Sequence, residues 1–176
     1  MPESNVTQRL ISTDFPTQSY RVVGKLQVPN TGVIGIVNDK TTSFMEVVDA
    51  KLAPIHMPTK LVGEYEIIDL VKANLFAICL TRREDVGPQA LARGGYQKLV
   101  KYKIRATSQV YMLEGTLEWT GRFEFATIMV EGTRDFVPLY DATLTAILIP
   151  RLRIESPAIL FNRRQVDLLG MVTDNK

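Results

Sequence analysis

The chain is poor in the residues from which active sites are usually built. Among 176 residues it has one histidine, His56, one cysteine, Cys79, and one tryptophan, Trp119. A single cysteine excludes an internal disulfide, and one Cys with one His cannot make a metal-binding set of ordinary spacing. No G-x-x-x-x-G-K-[ST] or G-x-G-x-x-G loop occurs, which removes two common phosphate-binding devices. Long apolar runs are missing too: the charge-free stretch 142–150 falls far short of the roughly 20 residues a spanning helix needs. Neither sign of charge dominates, with 21 Lys and Arg against 19 Asp and Glu, so the average points to neither nucleic acid nor an anionic membrane. The start MPESNVTQRL has neither the basic nor the apolar region of a signal peptide. A cytoplasmic protein with no transmembrane segment, no cofactor and no metal is expected.

What is present is a repetition. Residues 44–58 read FMEVVDAKLAPIHMP and residues 136–150 read FVPLYDATLTAILIP, an offset of 92. Phe44/Phe136, Asp49/Asp141, Ala50/Ala142, Leu52/Leu144, Ile55/Ile147 and Pro58/Pro150 are identical, where composition alone gives roughly one match in such a window. Upstream, Tyr20, Val22, Gly24, Leu26 and Val28 alternate with polar residues, and Tyr111, Leu113, Gly115, Leu117 and Trp119 do the same at an offset of 91. Both segments predict half-buried strands. A glycine at the same inner position of each predicts a bend, a bulge or a close backbone approach.

These signals divide the chain into a polar lead-in over 1–19, a β module over 20–80, a basic Gly/Pro linker over 81–98 and a second β module over 99–176. Turn signals at Pro29-Asn30-Thr31-Gly32 and Thr120-Gly121 precede short apolar segments. The first, 33–38, reads as a strand; the second, 123–130, reads equally as strand or short helix. In the repeated motif Phe44, Val48, Ala50 and Leu52, with Phe136, Tyr140, Ala142 and Leu144, are expected to face the core. Asp49 and Asp141 fall opposite, where a carboxylate suits a kink or bulge. Pro58 and Pro150 are expected to end their strands.

Candidate chemistry is sparse. His56 is replaced by Leu148 in its own duplicate, which favours a half-buried strand residue over a base. Cys79 lies in an apolar run and reads as a buried, inert thiol. Two symmetric aspartates can share a proton, but Asp-Ala-Lys and Asp-Ala-Thr lack the small and hydroxyl residues of such a loop. The remaining candidates are basic. Arg82, Arg83, Arg151, Arg153, Arg163 and Arg164, together with Lys101, Lys103 and Arg105 on one face of a strand, would form an anion or nucleic-acid patch if the fold gathered them. Tyr96, Tyr102 or Trp119 would then be stacking platforms. Scattered, they would be solvated charges that blunt strand edges.

The order of a glycine-bearing strand, the motif strand and a closing strand-turn-strand through Asn162-Arg163-Arg164-Gln165-Val166 resembles the small barrels of SH3-like and Sm-like domains. That resemblance implies edge-strand oligomers and RNA binding through the closing turn. The pattern is also similar to duplicated β modules of an uncharacterised bacterial family, which carries no activity to transfer. The expected protein is all-β, with two homologous small barrel-like modules and few or no helices. It is expected to be a non-enzymatic interaction or assembly protein that self-associates through edge strands, with RNA or single-stranded DNA binding as the alternative.

Overall fold

The computed structural model describes residues 8–88, 98–130 and 134–173. Within them the chain is all-β. Strands β1 (Arg9–Pro16), β2 (Tyr20–Val28), β3 (Phe44–Pro54), β4 (Gly63–Val71) and β5 (Ala77–Leu80) form the first half. Strands β6 (Leu99–Thr107), β7 (Tyr111–Thr120), β8 (Phe136–Ala146), β9 (Arg153–Asn162) and β10 (Leu168–Met171) form the second. Short helices α1 (Gly32–Val37) and α2 (Phe125–Met129) follow β2 and β7. All ten strands join one antiparallel sheet in the order β10-β6-β7-β8-β9-β5-β1-β2-β3-β4.

Each half runs fifth strand, first, second, third, fourth, and the registers also repeat. Arg9 faces Val28 as Val100 faces Trp119, and Phe44 faces Val71 as Phe136 faces Asn162. The halves meet where β5 pairs with β9. Both of these strands are covered on both faces, which is why 77–80 and 158–161 are unbroken apolar runs. Ile78, Leu80, Ala158 and Leu160 enter the core of the first half, while Ala77, Cys79, Ile159 and Phe161 enter that of the second. The sheet therefore passes between two cores.

Each half carries one bulge. Between Val23/Lys51 and Lys25/Val48 the two residues Asp49 and Ala50 oppose Gly24 alone, and Asp141 and Ala142 oppose Gly115 in the same way. Asp49 and Asp141 take φ of 50° and 47°, the only positive-φ residues other than glycine among those described; aspartate tolerates this region better than most side chains. A Cβ on Gly24 would lie 2.5 Å from Val47 Cγ1, and one on Gly115 would lie 2.8 Å from Ala142 Cβ, so both glycines allow the close approach expected of them.

The bulge also corrects the expected core face. One extra residue reverses the side-chain parity along the strand, so Met45 and Val47, not Phe44 and Val48, point inward ahead of Ala50. The segment 33–38, expected as a strand, is helix α1. Gly32, at φ 74°, turns the chain, and Val33, Ile34 and Val37 bury one helical face. The expected lead-in supplies strand β1, which lies between β2 and β5. Its Ile11, Thr13 and Phe15 are buried, and Arg9 forms an ion pair with the buried carboxylate of Asp85. Pro58 and Pro150 lie in turns four residues beyond the ends of β3 and β8, so they do not themselves stop the strands.

Candidate functional site

Two strands, β4 and β10, have a neighbour on one side only among the described residues. Unpaired backbone donors and acceptors on such edges are a template for another strand. The edges are also apolar. Tyr65, Ile67 and Val71 on β4, Phe44 beside it on β3, and Leu168 and Met171 on β10 are among the large exposed hydrophobic residues.

Their counterparts at the β5–β9 junction show what such residues do when covered. Phe44 is 49% exposed, whereas Phe136, identical in the repeated motif, is 2% exposed and packs into the core of the other half. The sequence singles out both phenylalanines, but only the sheet order shows that one is covered and the other is bare.

Most of the candidate arginines are engaged with acids. Arg163 is buried, donating to the Ile128 carbonyl at 3.0 Å and to Asp135 Oδ1 at 3.3 Å; Arg164 donates to the same carboxylate oxygen at 2.9 Å. Burial raises the Asp135 carboxyl, but the hydrogen bonds and charges of Arg164 and Arg163 together bring it below its ordinary value. Arg105 binds Glu114, Arg153 binds Glu155, and Arg83 binds Glu118 while its guanidinium lies 3.8 Å over the Tyr140 ring. Arg82 stands 3.6 Å from Glu84. Lys101, Lys103 and Arg105 do share the exposed face of β6, as predicted, but Glu118 and Glu114 oppose the first and last of them on β7. Arg151 is exposed in the turn before β9. Arg163 is thus removed from any open patch, and five other arginines are paired with acids.

The expected stacking platforms are also engaged. Tyr102 and Trp119 pack against Phe123 with ring centroids 5.3 and 5.9 Å away, and Tyr96 lies outside the described residues together with 89–97 of the linker.

Asp49 and Asp141 do not form a dyad. Both are exposed, four strands lie between β3 and β8 in the sheet, and Asp49 accepts from Lys25 Nζ at 3.2 Å. His56 is exposed in the turn after β3, not half-buried in a strand. It borders a cleft of about 500 Å³ between the halves, otherwise lined by Tyr20, Ile55, Val110 and Leu148 among others. That lining offers no acid and base pair. Cys79 is fully buried, and burial pushes its thiol well above its ordinary pKa. Among the described residues no group of three or more His, Cys, Asp or Glu is placed to hold a metal ion, and no helix is long and apolar enough to cross a membrane. No family model, curated protein or solved structure matches this chain.

Proposed function

We propose that this chain is a non-enzymatic assembly protein, located in the cytoplasm, that self-associates through the edge strands of a duplicated small-barrel unit. The observation that carries this reading is the contrast between Phe44 and Phe136, where the same residue of a repeated motif is bare at the free edge and buried at the internal junction. An exposed aromatic beside an unpaired strand costs solubility in a monomer and stabilises an assembly. The distribution of charge agrees with it, because the arginines that would be needed for a nucleic-acid surface are spent on carboxylates and helix carbonyls.

Light scattering on a size-exclusion column, with the 260 to 280 nm absorbance ratio read across the peak, tests this. A mass well above that of one chain at both low and high salt, with the ratio of protein alone, is expected. A monomer at about 100 μM overturns the proposal. A high ratio at low salt that is lost at high salt replaces it with nucleic-acid binding, whose affinity falls steeply with salt.

A further inference from the structure

The junction between the halves is not self-complementary: it joins the fifth strand of one half to the fourth strand of the other. A contact of this kind uses two different surfaces, so it leaves one of each unused at the ends of the pair. Those unused surfaces are β4, the fourth strand of the first half, and β10, the fifth strand of the second. We propose that the junction inside the chain is repeated between chains, so that β10 of one copy pairs antiparallel with β4 of the next, head to tail. This rests on the self-association reading above and specifies its geometry.

The register follows from the repeat. Within the chain Ala77 faces Phe161, Ile78 faces Leu160, Cys79 faces Ile159 and Leu80 faces Ala158. Moving each residue by 91 places Leu168 opposite Leu70, Leu169 opposite Asp69, Gly170 opposite Ile68 and Met171 opposite Ile67 of the next copy. The exposed residues are the ones this pairing covers. Leu168 and Met171 are 57% and 53% exposed, against 0% and 2% for Ala77 and Leu80; Ile67 and Val71 are 55% and 50% exposed, against 0% and 1% for Ala158 and Asn162.

Contacts away from the paired strands repeat as well. Tyr111 is buried at the junction, where its hydroxyl donates to the Thr17 carbonyl at 2.6 Å. Its counterpart Tyr20 is 43% exposed, and the same geometry directs its hydroxyl to the Ser108 carbonyl of the preceding copy. Charge is complementary too. Val172 N–H donates to the Lys103 carbonyl beside β10, and the extended register sets Glu66 of the next copy opposite Val172. Lys103 and Glu66 then share a face two strand spacings apart, about 9.6 Å, within reach of their long side chains. A heterologous contact of this kind gives a closed ring when its rotation closes, and a filament otherwise.

The test uses two full-length variants in a Cys79→Ala background, Ile67→Cys and Met171→Cys, one carrying a mass tag. A short bismaleimide added to the mixture is expected to give the tagged–untagged pair in about tenfold excess over cross-linking of either variant alone. Light scattering is expected to show a ring-sized species or a concentration-dependent polymer. Cross-linking of each variant to itself with none between them would mean a two-fold arrangement, and an oligomer with no cross-link at all would mean another surface. Either result overturns head-to-tail pairing while leaving self-association standing. A monomer overturns both proposals.

Discussion

Lys72 and Arg163, 91 residues apart, place their cations on the carbonyl end of the short helix in their own half. Lys72 Nζ donates to the carbonyls of Ile36, Asp39 and Thr42 at 2.8, 2.9 and 3.0 Å, while Arg163 Nη1 donates to the Ile128 carbonyl at 3.0 Å. Their backbone N–H groups are equivalent as well, donating to Ser43 and Asp135 carbonyls. Helices as short as α1 and α2 leave most of their carbonyls without intrahelical partners, and a buried cation at this end satisfies them with favourable charge.

Methionine at either position is therefore expected to destabilise the fold. Lys72→Met leaves several carbonyls without this donor, at about 1–3 kcal/mol for each buried acceptor that stays bare. A loss of at least about 2 kcal/mol in urea unfolding is the expected outcome. Arg163→Lys, which keeps a donor, is expected to recover part of the loss of Arg163→Met. A fully stable Arg163→Met would return this arginine to the role of a surface charge.

The start of the chain provides the second prediction. Phe15 on β1 is fully buried in the core of the first half, so Phe15→Ala is expected to cost about 3–5 kcal/mol. Removal of residues 1–19 is expected to prevent folding, since it strips the pairing partner from β2 and β5 and leaves the Asp85 carboxylate buried without Arg9. Circular dichroism and a thermal melt read both. A truncated chain that melts like the full one would contradict the central place of β1.

The bulge aspartates test conformation against chemistry. At φ near 50° a glycine is unstrained, whereas a β-branched side chain is a genuine outlier. Asp49→Gly and Asp141→Gly are expected to change stability by less than about 1 kcal/mol, and Asp49→Val and Asp141→Val to lower it by about 1–3 kcal/mol. Equal losses in the Gly and Val variants would show that the carboxylate, not the backbone, is what these sites require.

Alkaline pH should weaken the fold in two stages. Burial raises the Cys79 thiol well above 9.0, and it raises the Tyr140 and Tyr111 hydroxyls above 10.0, Tyr140 to about 12. In each case the folded state retains a proton that the unfolded chain releases. The stability contributed is thus complete below the ordinary values and is lost as pH rises above them toward the folded ones. Urea titrations are expected to be flat from about pH 6 to about pH 9 and to decline beyond it. In Cys79→Ala the decline should begin nearer pH 10; an onset that does not move would count against the buried thiol.

Much of this architecture was legible where a local signal decides it. The alternation from Tyr20 and from Tyr111 places β2 and β7, and the Gly24/Asp49 and Gly115/Asp141 pairs mark the bulges, because bulge chemistry depends on the residues at the bulge. What depends on distant partners was not legible. Phe44 and Phe136 are equivalent in the motif, and only the sheet order shows that Phe136 alone has a second half behind it. Arg163 looks like a surface cation because the helix it caps cannot be told from a strand by its apolar pattern. Strand β1 is hidden for a related reason: Ser12, Thr13 and Asp14 make RLISTDFP look polar, and only pairing on both sides reveals that it is central.

Asp69 places a charge on the exposed β4 edge, and it gives the last prediction. Its counterpart Leu160 is completely buried at the internal junction, while Asp69 is exposed and stands opposite Glu46 on β3. Like charges facing each other across strands repel, and a carboxylate on the outer side of an edge strand discourages pairing. Head-to-tail pairing sets Asp69 against Leu169 of the neighbouring copy, so the contact between chains is weaker than the one within. Asp69→Leu restores the apolar residue found at Leu160 and removes the repulsion. Burying a leucine contributes about 1.5–3 kcal/mol, and 1.4 kcal/mol is a factor of ten in affinity; association is therefore expected to begin at a concentration at least about tenfold lower. Glu64→Leu serves as the control, because its counterpart Glu155 remains exposed in the turn-side part of β9. Sedimentation velocity across a concentration series reads both variants. If the two leucines promote association equally, general stickiness is responsible and the register is wrong; if only Asp69→Leu does, position 69 lies at the contact between chains.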